Sequence, residues 1–190
     1  MGHEAKLRLA KISYFQGDFQ WAQAQLSTLK ASTSKLIANN AMQLSLLITD
    51  NYNLDTTEIS MRTFANADLL SYQQRYDEAI LKYDSVLYAF SAHSLSDEIY
   101  MRKAEVYFNL GKITDALDTY EKIEMEWGYD ILADDALYER ARIYDVVLND
   151  FASAMTLYEK ILLDYTSSIY VVESRKRFRQ LRGDGLTEDQ

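Results

Sequence analysis

The chain has 190 residues, 48% hydrophobic and 26% charged, a composition typical of a folded globular protein. Its net charge of −9 argues against bulk affinity for nucleic acid or anionic lipid, and no apolar run approaches the ~20 residues that cross a bilayer. The absence of Cys excludes disulfides, thiolate zinc sites and cysteine nucleophiles, and it leaves the redox compartment undetermined.

Apolar periodicity predicts a run of helices joined by short turns, and no segment has the alternation and turn signals of a β-hairpin. The absence of Pro fits nearly continuous helices. We therefore predict an all-α fold, with a single domain over 1–182 and a flexible polar tail over 183–190. The ten predicted helices span about 4–16, 19–31, 35–50, 56–73, 76–91, 95–109, 113–127, 131–147, 151–165 and 168–182.

One motif recurs four times along the chain. A polar turn is followed by an aromatic residue or Ile, and three residues later by Ala, at Ala22, Ala79, Ala116 and Ala154. A motif that recurs every 20–50 residues indicates a stacked array of helical hairpins. The intervals between these Ala residues are 57, 37 and 38 residues, so the first interval holds one additional helix, at 35–50.

These motifs resemble the tetratricopeptide-repeat (TPR) family, and the resemblance implies a right-handed α-solenoid. The chain departs from the family in lacking Pro and in having intervals longer than the usual ~34 residues. Residues 170–178 are also similar to the C-terminal part of long bacterial TPR proteins, which implies a fragment of a longer array. The closest agreement with the family pattern is at Tyr100, Ala104, Tyr107, Gly111, Ala116 and Tyr120.

The repeated residues are predicted to serve packing before function. Ala22, Ala79, Ala116 and Ala154 fall where paired helices cross, and a small side chain there permits close approach. Most of the 15 Tyr are predicted to fill gaps between neighbouring repeats, with the hydroxyl reaching the surface.

The resemblance also implies which first-helix residues line the concave face of the solenoid and contact a partner. One row is apolar or aromatic, as expected for a groove that takes an extended segment or an amphipathic helix. A second row has mixed charges, which disfavours capture of a C-terminal carboxylate. The alternative is that helix 35–50, helix 168–182 or a missing repeat covers this surface. The predicted partner-binding residues are Leu7, Lys11, Tyr14, Phe64, Asp68, Ser71, Met101, Glu105, Phe108, Tyr138, Arg142 and Asp145.

No catalytic motif is found. His3 and His93 lack the spacing of metal ligands, and there is no phosphate-binding loop or nucleophile elbow. The predicted function is therefore a non-catalytic scaffold that binds a protein or peptide partner, without cofactor, metal, nucleic acid or membrane insertion. The alternative is a structural spacer or self-assembly segment in a cell-envelope complex, which leaves an oligomer and the compartment open.

Helix 168–182 is basic within an acidic chain, and two interpretations of it remain open. It either docks on an acidic partner or on another copy of the chain, or it forms a solvated end with cations near a helix C-terminus. Its basic residues are Arg175, Lys176, Arg177, Arg179 and Arg182.

Overall fold

A computed structural model describes residues 2–31, 34–52, 58–90 and 94–184. Within these ranges the chain forms α-helices and no β-strand, which confirms the all-α prediction. Most of the predicted tail, from residue 185 onward, lies outside the described residues. The helices are α1 His3–Phe15, α2 Phe19–Ser27, α3 Lys35–Tyr52, α4 Ile59–Tyr72, α5 Tyr76–Ala89, α6 Ser96–Asn109, α7 Ile113–Trp127, α8 Ala133–Arg142, α9 Phe151–Asp164 and α10 Val171–Arg182.

The chain divides into two compact units, Met1–Ile99 and Tyr100–Gln190. In the first unit α1 packs against α2, α4 against α5, and α3 against α2. In the second unit α8 packs against both α7 and α9, and α10 packs against α9. The single domain over 1–182 stays a prediction.

Three of the four repeated turns share one backbone geometry. Gly17, Gln74 and Gly111 adopt positive φ angles of 76°, 61° and 73° just after a first helix ends. In each turn, the amide of this residue bonds the carbonyl three residues back, and the next amide bonds the carbonyl five residues back, all at 2.9 Å. This is the Schellman helix ending, which favours Gly because a left-handed residue with a Cβ is strained.

The fourth turn contains one more residue than the others. After α8 the chain continues as a π-helical turn, Ile143–Val147, and Asn149 takes the left-handed position with φ 54°. The amide of Asp150 donates to the carbonyl of Tyr144 at 2.8 Å and so spans six residues rather than five. A π-turn accommodates a single inserted residue in a helix. This insertion lengthens the interval between repeats from 37 to 38 residues.

The recurring Ala residues lie in the core, where a side chain larger than a methyl group would overpack the helix crossing. All four that open the second helices are fully buried, and so are four more on the first helices. The packing role predicted for them is therefore confirmed. The buried set is Ala22, Ala79, Ala116 and Ala154, with Ala10, Ala67, Ala104 and Ala141.

Polar side chains hold the additional helix α3 in place. The amide of Gln23 on α2 donates to the hydroxyl of Thr49 at 2.7 Å and accepts from the hydroxyl of Ser45 at 2.6 Å. At the other end of α3, buried Asn51 donates to the carboxyl of Glu98 on α6 at 3.1 Å. Helix α3 is therefore hydrogen-bonded to α2 and to the beginning of α6.

Candidate protein-binding face on the first helices

In the first unit, several predicted partner-binding side chains lie in the core. Leu7 and Tyr14 on α1 are buried, and Phe64 on α4 is 0% exposed. The Phe64 ring packs against Tyr83 of α5 with 5.7 Å between ring centroids. These side chains are therefore enclosed by neighbouring helices, whereas Lys11 is partly exposed.

Asp68 on α4 accepts hydrogen bonds from two tyrosines of the same unit. The hydroxyl of Tyr14 donates to its carboxylate at 2.7 Å, and the hydroxyl of Tyr83 donates at 2.5 Å. Partly buried polar groups require such partners, and this arrangement joins α1, α4 and α5. Asp68 thus stabilises the helix packing, while Ser71, one turn further along α4, is partly exposed.

In the second unit, Met101, Glu105, Phe108 and Arg142 reach the surface at least in part. Met101 on α6 is partly buried against the core formed by α6, α7 and α8. Phe108, near the end of the same helix, is 38% exposed. Glu105 pairs with Arg102 at 3.3 Å, and on α8 Arg142 pairs with Glu139 at 2.9 Å. The surface therefore combines apolar side chains with two ion pairs.

These four charged residues influence the pKa of Tyr120, a buried residue of α7. Burial is the main cause of the raised pKa of Tyr120; Glu105 and Glu139 raise it further, while Arg102 and Arg142 oppose them. The phenol is therefore neutral at physiological pH. The face presents charges of both signs, which suits a partner that itself carries mixed charges.

Helix α10 covers one end of this face. The Tyr138 ring stacks on Tyr170, with centroids 4.1 Å apart, and the Tyr170 hydroxyl donates to Asp135 at 2.5 Å. Asp145 is buried and accepts from the Arg177 guanidinium at 2.6 and 2.7 Å. The hydrogen bonds from Arg177 lower the pKa of Asp145 below its usual range. Tyr138 and Asp145 thus contact α10 inside the unit.

One set of exposed apolar residues was missed by the sequence reasoning. Tyr88, Met125 and Leu163 lie on the second helices α5, α7 and α9, and all three side chains are well exposed. Each lies nine residues after a recurring Ala, so the regular spacing of the repeat could have identified these positions from the sequence. The prediction had considered only the first helices as a source of binding residues.

Comparison with known families agrees with this geometry. Residues 98–124 and 135–168 match the family model described as tetratricopeptide repeat, and they correspond to the pairs α6–α7 and α8–α9. The family model and the shared fold support the assignment of this chain to the tetratricopeptide-repeat (TPR) family. The family resemblance and the helical-repeat solenoid expected from the sequence are therefore confirmed.

A solved structure shares the fold of this TPR protein. It is a tetratricopeptide repeat protein from Parabacteroides merdae ATCC 43184, with a TM-score of 0.54 and 19% sequence identity. The match covers 96% of the present chain and 60% of the other, so this chain spans less than two thirds of that neighbour. Comparison with curated proteins gives no match.

Two further findings concern only the residues that the structure describes. None of their helices combines the length and the apolar character needed to cross a membrane. No group of three or more His, Asp or Glu side chains among them is placed to hold a metal ion.

Proposed function

We propose that this TPR protein is a non-catalytic scaffold that binds a segment of a partner protein on the second unit. TPR repeats generally mediate protein–protein interactions. The binding surface, which we name the α6–α8 face, consists of Met101, Glu105, Phe108, Tyr138 and Arg142. The observation that carries the proposal is the exposed Phe108 ring on a helix that also carries accessible charges of both signs.

The ion pairs on this face are readily exchanged for contacts with a partner. Arg102 with Glu105, and Glu139 with Arg142, are partly exposed pairs three residues apart on one helix. Such surface pairs contribute only about 0–1 kcal/mol to stability, so a partner group can replace one member at little cost. An apolar side chain that covers Phe108 gains the energy of burial. The expected partner segment therefore carries an apolar anchor flanked by charged residues.

Within the first unit, we propose that Lys11 and Ser71 are partner-contacting residues of that unit. Both are partly exposed and remain accessible to a partner. Leu7, Tyr14, Phe64 and Asp145 are buried, so the binding proposal does not depend on them. Asp68 contributes through the packing that it stabilises.

The test is a selection of peptides from a random phage-displayed library on the purified chain, followed by fluorescence anisotropy. Replacing Phe108 and Arg142 together by Ala should weaken the selected peptides by about tenfold or more, ~1.4 kcal/mol, because the change removes both an apolar and a charged contact of the face. The matched control replaces Met125 and Leu163 by Ala, which are exposed on second helices.

The control should bind the selected peptides as the wild type does. Circular dichroism of both variants checks that the helices are retained. Peptides that bind the Phe108→Ala, Arg142→Ala double variant as tightly as the wild type would contradict the proposal. So would an equal loss of binding in the control.

A further inference from the structure

Helix α10 occupies the place of one more first helix in the array. Residues of α8 and its flanks pack against the α6–α7 pair, and residues of α10 and its preceding turn pack against the α8–α9 pair. The packed residues of the two helices correspond at a constant separation of 38 positions, which sets the register between them. The corresponding pairs are Leu132 and Tyr170, Ala136 and Ser174, and Ile143 and Leu181.

In this register, arginines lie on the side of α10 that corresponds to the side of α8 on which α9 packs. The residues that pack beneath α9 are Leu137 and Ala141 on α8 and Tyr144 in the π-helical turn that follows it. The residues 38 positions later are Arg175, Arg179 and Arg182. An apolar contact surface for a second helix is thus replaced by three cations on one side of α10.

Some of these cations already have partners within the chain. Arg182 pairs with Asp184 and lies over the Phe178 ring, and Arg177 pairs with Asp145. Arg175, Lys176 and Arg179 are exposed, and among residues 94–184 none of the three forms a hydrogen bond or salt bridge through its side chain. Arg175 and Arg179 are four residues apart on the helix, where like charges repel. A group of carboxylates would relieve this repulsion.

Two apolar side chains lie at the other end of the same helix. Ile169, in the preceding turn, is 82% exposed, and Val172, in the first turn of α10, is 75% exposed. The surface therefore has an apolar end and a basic end along about 15 Å of helix, at 1.5 Å per residue. We name it the α10 basic face: Ile169, Val172, Arg175, Lys176 and Arg179.

We infer that the α10 basic face is a second docking surface, which takes an acidic amphipathic helix from another protein. The helix lies where the second helix of a further pair would lie, antiparallel to α10 as α9 is to α8. Its N-terminal turns then meet Arg179 and Arg175, and carboxylates are favoured in those turns by the helix dipole. Its apolar C-terminal turns meet Val172 and Ile169. This surface is separate from the α6–α8 face and does not depend on it.

Charge favours an acidic protein segment over a nucleic acid or a membrane. The chain carries 20 Lys and Arg against 29 Asp and Glu, so most of its surface repels an extended polyanion. A short helix touches only the basic face and avoids that repulsion. An anionic bilayer would likewise be repelled by the net negative charge of the chain.

The test uses three synthetic peptides that differ only in the order or charge of their residues. The first has Glu in the N-terminal half and Leu in the C-terminal half, the second reverses this order, and the third replaces each Glu by Gln. Fluorescence anisotropy with the complete chain should show binding of the first peptide that weakens as salt is raised. Replacing Arg175 and Arg179 by Glu should weaken it about tenfold or more.

The matched control replaces Lys30 and Lys82 by Glu, which changes the net charge equally at two exposed positions of the first unit. It should bind the first peptide like the wild type, as should the Phe108→Ala, Arg142→Ala variant. The inference is overturned if the three peptides bind alike, or if the Lys30→Glu, Lys82→Glu control loses binding equally. It is also overturned if the face instead binds anionic phosphatidylserine vesicles, or if Arg175→Glu, Arg179→Glu abolishes a dimer of the chain in sedimentation velocity.

Discussion

The two units place equivalent first-helix residues in different surroundings. In the first unit, Phe64 is enclosed by α5, and Asp68 accepts bonds from two tyrosines on neighbouring helices. In the second unit, Met101, which lies 37 residues after Phe64, is only partly buried, and Glu105, which lies 37 residues after Asp68, pairs with a residue of its own helix. The comparison shows that a repeat position determines the side of the helix, while the neighbouring helices determine whether the side chain is accessible.

The largest expected effect comes from truncating one aromatic residue in each unit. Phe64→Ala removes a fully buried ring and should lower the free energy of unfolding by about 3–5 kcal/mol. Phe108→Ala removes a ring that is 38% exposed and should cost about 1 kcal/mol or less. Urea denaturation followed by circular dichroism measures both. Equal losses would mean that the Phe108 ring is as enclosed as the Phe64 ring, which would contradict its place on an accessible face.

A smaller loss of stability is expected from breaking either of two ion pairs in the second unit, one buried and one exposed. Arg177→Ala leaves the buried carboxylate of Asp145 without its guanidinium and should cost about 1–3 kcal/mol, reduced because Arg177 is itself partly exposed. The matched change is Arg142→Ala, which breaks an exposed pair with Glu139 and should cost about 0.5 kcal/mol or less.

The Arg177→Ala variant should also change how the stability of the fold depends on pH. Because Arg177 lowers the pKa of Asp145, this carboxylate stabilises the fold above its unfolded pKa and the contribution is lost as the pH falls. Arg177→Ala should therefore reduce the acid-induced loss of stability, measured by urea denaturation between pH 3 and 7. A profile parallel to that of the wild type would contradict the assigned role of the pair.

The last expected effect is a pH dependence specific to the first unit. Burial, together with the neighbouring carboxyl of Asp97, raises the pKa of Glu98 to about 9. A carboxyl whose pKa is raised on folding stabilises fully below its unfolded pKa, and this contribution is lost as the pH rises toward 9. Glu98→Gln keeps an acceptor for Asn51 without the titration. Thermal unfolding of the variant should depend less on pH above pH 5, and an unchanged slope would contradict this assignment.

Much of the fold follows from the sequence because its signals are local. The recurring Ala, the turn residues and the apolar periodicity locate every helix, and Gly17 and Gly111 mark two of the helix ends. The π-helical turn Ile143–Val147 was not predicted, since no residue type in it distinguishes a widened turn from an ordinary one. The sequence showed only that the last interval between recurring Ala residues is 38 residues rather than 37.

Less of the candidate site could be predicted, for a geometric reason. A helical turn holds ~3.6 residues, so successive residues are about 100° apart around the helix axis. A position that faces the groove and a position that faces the core are therefore only one residue apart in the sequence. Tyr14 and Phe64 were expected on the groove and lie in the core. The equivalence between Leu137 and Arg175 was also hidden, because it depends on the register with which α10 packs on α9.

The most direct test of the account uses the absence of Cys in the chain. Single variants Phe108→Cys, Arg142→Cys and Met125→Cys each carry one thiol, and the rate of its reaction with a maleimide reports its accessibility. All three should react rapidly in the free protein, as exposed positions do. A peptide selected on the wild-type chain should slow the reaction at residues 108 and 142 and leave residue 125 unaffected. Protection at 125 without protection at 108 and 142 would contradict binding on the α6–α8 face.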